Sequence, residues 1–206
     1  MLKETVRKGL PAGRQGFTFL QSKKAKSRRG FTLVELLVVI AIIAILAAVV
    51  VLIINPLELT RRGRDAARLT DLANLQQAIN VAVQEATASA QTILCSSGWD
   101  GTKCSGQSYV GTRASNGTGW AKVDMSAQQS VSVPTLPVDP TNSTTYHYTY
   151  CSNGSAWEIN TVLESTQQVG KMATDGGDEN AIDTNGRYEV GSNLTLIQAS
   201  GGTCAY

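Results

Sequence analysis

The chain has 206 residues, enough for one domain with appendages, and its net charge of +2 conceals a division. Residues 1–30 carry nine Lys and Arg against the single acid Glu4, giving +8, and the remainder is −6. Most of the basic side chains that could neutralise phosphates therefore lie in one terminal segment, and no helix-turn-helix or aromatic-basic motif follows them, so no direct nucleic-acid binding is inferred.

Residues 1–30 contain Gly9, Pro11, Gly13 and Gly16 among scattered basic residues and show no apolar period, so they read as a targeting segment and not a domain. An apolar stretch then begins at Phe31, and Glu35 is its one charged residue. From Leu36 to Ile54 it runs for 19 residues without a polar side chain, enough as a helix to cross a hydrocarbon layer of about 30 Å. A basic flank holds such a helix with residues 1–30 in the cytoplasm and the acidic remainder outside. A secretory signal has a shorter apolar region and ends at a small-residue cut; an ordinary signal anchor explains neither Gly30-Phe31 nor Glu35.

The register Arg28-Arg29-Gly30-Phe31-Thr32-Leu33-Val34-Glu35 followed by the apolar run resembles the processing site of type IV pilins and the related pseudopilins. The resemblance implies cleavage after Gly30 by a prepilin peptidase and N-methylation of the new terminal Phe31. It also implies that Glu35, fifth in the mature chain, pairs with the Phe31 amine of a neighbouring subunit. The bland alternative is that Glu35 satisfies its own chain's amine or sits among lipid headgroups. Gly16-Phe17-Thr18-Phe19-Leu20 imitates the motif but is followed by Lys23 and Lys24, and is rejected. Leaders in the family are often much shorter than 30 residues, so this chain is either a long-leader variant or has its true start downstream of Met1.

Asn55-Pro56 interrupts the apolar run, and a kink, not an end, is expected at Pro56. Beyond it Leu59, Ala66, Leu69, Leu72, Leu75 or Gln76, Ile79 and Val83 recur at spacings of three and four, with Arg61, Arg62, Arg64, Arg68 and Asp71 between them. This predicts one helix over residues 31–86, hydrophobic over 31–55 and amphipathic over 56–86, with Gly63 as a second flexible point. Residues 89–141 read as a long connection ordered by short pieces and a disulfide. Pro134, Pro137 and Pro140 exclude a helix across Pro134 to Pro140, and Leu136-Pro137-Val138-Asp139-Pro140 resembles a turn that precedes the sheet in pseudopilins.

Tyr146–Cys151 and Ala156–Leu163 are β-rich and separated by Ser152-Asn153-Gly154-Ser155, a hairpin signal; Arg187–Val190 and Asn193–Ile197 supply one or two further strands. A domain over 56–206, with an antiparallel sheet over 146–198 packed on the amphipathic helix, makes an α+β chain, the pilin fold that the resemblance implies. Cys95, Cys104, Cys151 and Cys204 all follow the membrane helix and face an oxidising space, which favours disulfides. Of three pairings, Cys95 with Cys104 closes a local loop and Cys151 with Cys204 ties the C-terminus to the sheet, and these are favoured.

Asp175, Asp178, Glu179, Asp183 and Asn185 lie in a Gly-rich loop. Oxygen ligands at Asp175, Asp178 and Asp183 would suit calcium, which major pseudopilins hold in a comparable loop; a solvated acidic turn would look the same. His147, the single histidine, stands in a Tyr-rich strand, and although a Ser, His, Asp triad could be drawn with Asp139, nothing marks a nucleophile. Catalysis is not expected. Asn116, Asn142, Asn153 and Asn193 begin glycosylation triplets in a composition that yields them by chance.

The resemblance thus implies a structural subunit of a type IV pilus, a homo-polymer filament reached through the membrane with a peptidase, an assembly platform and an ATPase as partners. The alternatives are a pseudopilin of a type II secretion system and, in another class, a monomeric membrane-anchored adhesive or calcium-binding domain.

Overall fold

The computed structural model describes residues 30–126, 130, 133–178, 181, 185–197 and 204. The basic segment before Gly30 lies outside these residues, as do Glu179 and Asp183. The chain divides between Ala47 and Ala48 into two units. Helix α1, Leu33–Ile54, runs through that division and is built from Ala, Val, Ile and Leu apart from Glu35. Every described side chain from Gly30 to Leu57 is exposed, and Leu33–Val51 has the length and composition to cross a membrane.

One kinked helix is not what forms at Pro56. Helix α1 ends at Ile54, Asn55 takes a left-handed backbone with φ 43°, and a second helix, α2, starts at Pro56 and runs to Glu85. Proline suits a helix's first position, where its missing N–H has no intrahelical bond to make. Asparagine is among the few non-glycine residues that enter the left-handed region readily, and its Oδ1 accepts the Glu58 amide at 3.4 Å. Gly63 does not interrupt α2.

The buried stripe of α2 also differs from the expected one. Leu59 and Ala66 are exposed, and the stripe comprises Asp65, Arg68, Leu72, Leu75, Ala78, Ile79 and Ala82. Its apolar members pack on Tyr148, Tyr150, Trp157 and Ile159 of the sheet and on Trp120. Tyr148 and Tyr150 share a face as alternation requires, and their hydroxyls donate to Asp71 at 2.9 Å and to the Leu94 carbonyl at 2.6 Å.

Four antiparallel strands form one sheet in sequence order: β1 Cys104–Gln107, β2 Thr149–Ser152, β3 Trp157–Thr161 and β4 Tyr188–Gly191. Strand β1 comes from the stretch read as a connection, so the sheet begins well before residue 146. The same stretch holds a short helix, α3, at Ala90–Leu94. Between β2 and β3 the turn places Gly154 at φ 80°, while Asn153 Oδ1 accepts the Ser155 and Ala156 amides at 3.1 and 2.8 Å. Asn193–Ile197 is not a strand: it turns, with Asn193 Oδ1 accepting the Thr195 amide at 3.2 Å, its Leu196 and Ile197 amides donate to Glu158 of β3 at 2.8 and 3.0 Å, and Ile197 bridges to Cys204. Disulfides join Cys95 to Cys104 and Cys151 to Cys204, with Cα separations of 5.7 and 5.8 Å. The chain is therefore α+β, a long apolar N-terminal helix with a four-stranded antiparallel sheet, consistent with the pilin fold.

Candidate functional site

Gly30, Phe31 and Thr32 precede α1 in a non-helical stretch, with Phe31 86% exposed. No neighbour lies within 4 Å of where a Gly30 side chain would begin. Thr32 and Glu35 close a reciprocal cap at the helix start. The Thr32 N–H and hydroxyl both donate to Glu35 Oε2 at 2.8 Å, and the Glu35 N–H donates to Thr32 Oγ1 at 3.2 Å. This is the Thr-x-x-Glu capping box, and its spacing stood in the sequence unread. In the uncut chain Glu35 is accordingly held by its own helix terminus, one residue from the Phe31 nitrogen.

A second concentration of charge lies inside the folded unit that begins at Ala48, and sequence periodicity did not find it. Arg68, assigned by spacing to the solvent side, is 0% exposed. Its guanidinium donates to Asp139 at 2.6 and 2.9 Å, to Asp65 at 2.8 Å, and pairs with Glu164 at 2.6 Å, while the Tyr146 ring lies 5.2 Å from it. Arg64 donates to the same Glu164 at 2.9 Å. Burial works against the Arg68 charge, but the surrounding carboxylates outweigh it and raise its pKa; burial likewise opposes ionisation of Glu164, and the two arginines hold its carboxyl below the usual range.

The carboxylates are tied to backbone in turn. Asp65 accepts the amides of Glu164 and Ser165 at 3.0 and 2.7 Å, Glu58 accepts the Thr166 amide at 2.9 Å, and Asp139 accepts the Thr141 amide at 2.8 Å. This network fixes two loops, Leu136–Thr141 and 164–166, onto α2. Leu136 is buried, the Pro137 carbonyl accepts Trp120 Nε1 at 2.9 Å, and Asp139 meets Arg68, so the proline-rich segment is a structural joint. Beside it a cavity of about 380 Å³ is lined by Asp71, Asn74, Val133 and Pro134. Burial raises the Asp71 pKa.

The acidic loop is only partly described. Asp175 Oδ2 accepts the Glu189 amide at 2.8 Å and Oδ1 the Gly177 amide at 3.1 Å, so this carboxylate fastens the loop to β4; Asp178 is exposed. Among the described residues no three His, Cys, Asp or Glu side chains group as metal ligands. His147 is buried with Nδ1 3.1 Å from the Ser143 carbonyl and its ring 4.8 Å from that of Tyr109, packing that gives it no nucleophile to activate. Asn116, Asn153 and Asn193 each accept a bond from the hydroxyl two residues on, at 2.7, 3.0 and 3.0 Å, which uses these triplets as turns.

The description "Prokaryotic N-terminal methylation motif" matches residues 25–51. No curated protein and no solved structure matches the chain. The matched stretch contains Gly30, Phe31, the Thr32–Glu35 cap and the greater part of α1, and it is the type IV pilin and pseudopilin signature. The motif supports a structural subunit of that family, made as a membrane-anchored precursor.

Proposed function

We propose that the chain is a filament subunit of a type IV pilus, made as a membrane-anchored precursor and polymerised through α1. A prepilin peptidase hydrolyses the Gly30–Phe31 bond, releasing residues 1–30 on the cytoplasmic side and leaving a Phe31 amine that is then methylated. The assembly platform and its ATPase lift the subunit from the bilayer, and α1 exchanges lipid for copies of itself. Its side chains carry no polar atoms to desolvate in that exchange apart from Glu35. Glu35 leaves its contact with Thr32 to pair with the Phe31 amine of a neighbouring subunit, so the cut creates the cation that the carboxylate binds. The observation that carries this reading is the fully exposed apolar surface of α1, beginning at the Gly30-Phe31 bond and Glu35.

Mass spectrometry of the mature protein is expected to find an N-methylated Phe31 terminus, and an intact leader on functional protein would sink the proposal. Glu35→Val is expected to abolish filaments while leaving membrane insertion unchanged. Normal filament growth in that variant would refute the intersubunit pair. A second reading, a pseudopilin of a type II secretion system, is favoured by the Leu136–Pro140 segment, whose Asp139 receives Arg68. Sheared surface fibres made in bulk of this chain support the pilus; a secretion defect on deletion without such fibres supports the pseudopilin.

A further inference from the structure

The sheet face carrying Tyr150 and Ile159 meets the core, and the opposite face should be the wet one. Its centre is a row that crosses all four strands in register: Gln107 on β1, Thr149 on β2, Asn160 on β3 and Glu189 on β4. Glu158, two residues before Asn160, projects on the same side. Directly opposed residues in an antiparallel pair have Cβ atoms about 4.5–5.5 Å apart, so Asn160 is within side-chain reach of Thr149 on one side and of Glu189 on the other.

This polar row is nonetheless shut away from water. Asn160 and Glu158 are 0% exposed, Thr149 1% and Glu189 2%. Neither amide atom of Asn160 has a hydrogen-bond partner, nor has Thr149 Oγ1 or Glu158 Oε1. The other oxygen of Glu158 accepts the Leu196 and Ile197 amides at 2.8 and 3.0 Å, which fixes the carboxyl group and leaves Oε1 to the row. Buried polar groups are ordinarily bonded, and several orphans in one register row mark a site that something else completes. The donor types narrow what that is: two acids, an amide oxygen and a hydroxyl are the oxygen ligands that hard cations take.

Charge points the same way. The carboxyl groups of Glu158 and Glu189 adjoin. Two adjoining buried carboxyls can be held as a proton-sharing pair or bridged by a metal ion. Arg187, 4% exposed and two residues before Glu189, supplies one positive charge against these two acids. A cavity of about 350 Å³ lined by Ser105, Gln107, Thr149 and Cys204, with Lys103 on its wall, opens beside the row.

We propose that this row binds a hard divalent cation through Glu158 Oε1, the Glu189 carboxylate, Asn160 Oδ1 and Thr149 Oγ1. Water completes the coordination through the adjoining cavity. The site adjoins the acidic loop, whose Asp175 accepts the Glu189 and Gly177 amides and is not among the proposed ligands. It also stands independently of the filament reading.

The test uses the full chain in detergent micelles, stripped with a chelator and titrated with calcium chloride and, separately, magnesium chloride. Calcium is expected to raise the melting temperature saturably. Asn160→Ala and Glu189→Gln should each weaken binding by at least about tenfold, since even outer-shell changes at metal sites cost that much. Thr149→Val, close in shape, gives the same reading should either of those variants fail to fold. No response to either ion overturns the proposal. So does a calcium response that survives in all three variants, or one that Asp183→Asn abolishes, which would put the ion in the acidic loop.

Discussion

Of the two helices on either side of Asn55, the more apolar one buries nothing within its own chain and the more polar one supplies the core. Helix α1 keeps Ile, Leu and Val exposed along its whole length, whereas α2 buries Leu72, Leu75 and Ile79 together with Asp65 and Arg68. Hydrophobicity therefore says whether a side chain must leave water, and not what it leaves water for. An apolar surface on every side of a helix has to be covered by lipid or by other chains. A charged residue can be internal where its partners converge, and around Arg68 they do so from three separate segments.

The contrast is broken most directly through stability. Arg68→Ala strands buried carboxylates and is expected to lower unfolding free energy by about 3–5 kcal/mol in urea denaturation of the chain in detergent. Ile43→Ala in α1 is expected to stay within about 0.5 kcal/mol of the parent, because Ile43 is exposed. Equal losses from both changes would show that α1 has a hidden partner in its own chain. A smaller effect lies at the boundary itself. Asn55→Val combines a left-handed β-branched residue with a lost cap and should cost about 1–2 kcal/mol, while Asn55→Gly should cost a few tenths. Hydrogen exchange at the first turn of α2 would read the difference.

The smallest effect sharpens the account of the folded unit. Burial first, and then the Arg187 charge, hold the His147 imidazole below its ordinary range. The unfolded chain thus takes up this proton before the folded one does. The His147 contribution is complete above the ordinary histidine pKa of about 6.5 and is lost as pH falls from there to the folded value. His147→Gln should flatten that part of the stability profile, and an unchanged slope would mean that the ring is protonated equally in both states.

What could be read beforehand was whatever depends on neighbours in sequence. The apolar run and the hairpin at Asn153-Gly154 are both local, and each has its counterpart in the structure. The Thr32–Glu35 cap is equally local, a Thr-x-x-Glu spacing at the start of an apolar run. Arg68 was hidden from such a reading. Spacing assigns a helix face by polarity, and only Asp139 and Glu164, both distant in sequence, make that position internal. Strand β1 was hidden too, since Cys-Ser-Gly-Gln has little strand propensity and is held by pairing with β2 and by the Cys95–Cys104 link. At Asn55-Pro56 proline alone indicates a bend; the left-handed asparagine turns it into an end.

The sequence separations around Arg68 also bear on the order in which the domain assembles. Its bond to Asp139 spans 71 residues and the bond from Asp65 to the Ser165 amide spans 100. Contacts that close such long loops form slowly, because chain entropy is lost before they return anything. Helix α2 is therefore expected to form before it acquires its ion partners. Disruption at Arg68 should therefore act chiefly on the unfolding rate, leaving the refolding rate near that of the parent. The network is the last clasp to shut, and its strength sets how long a finished subunit stays shut.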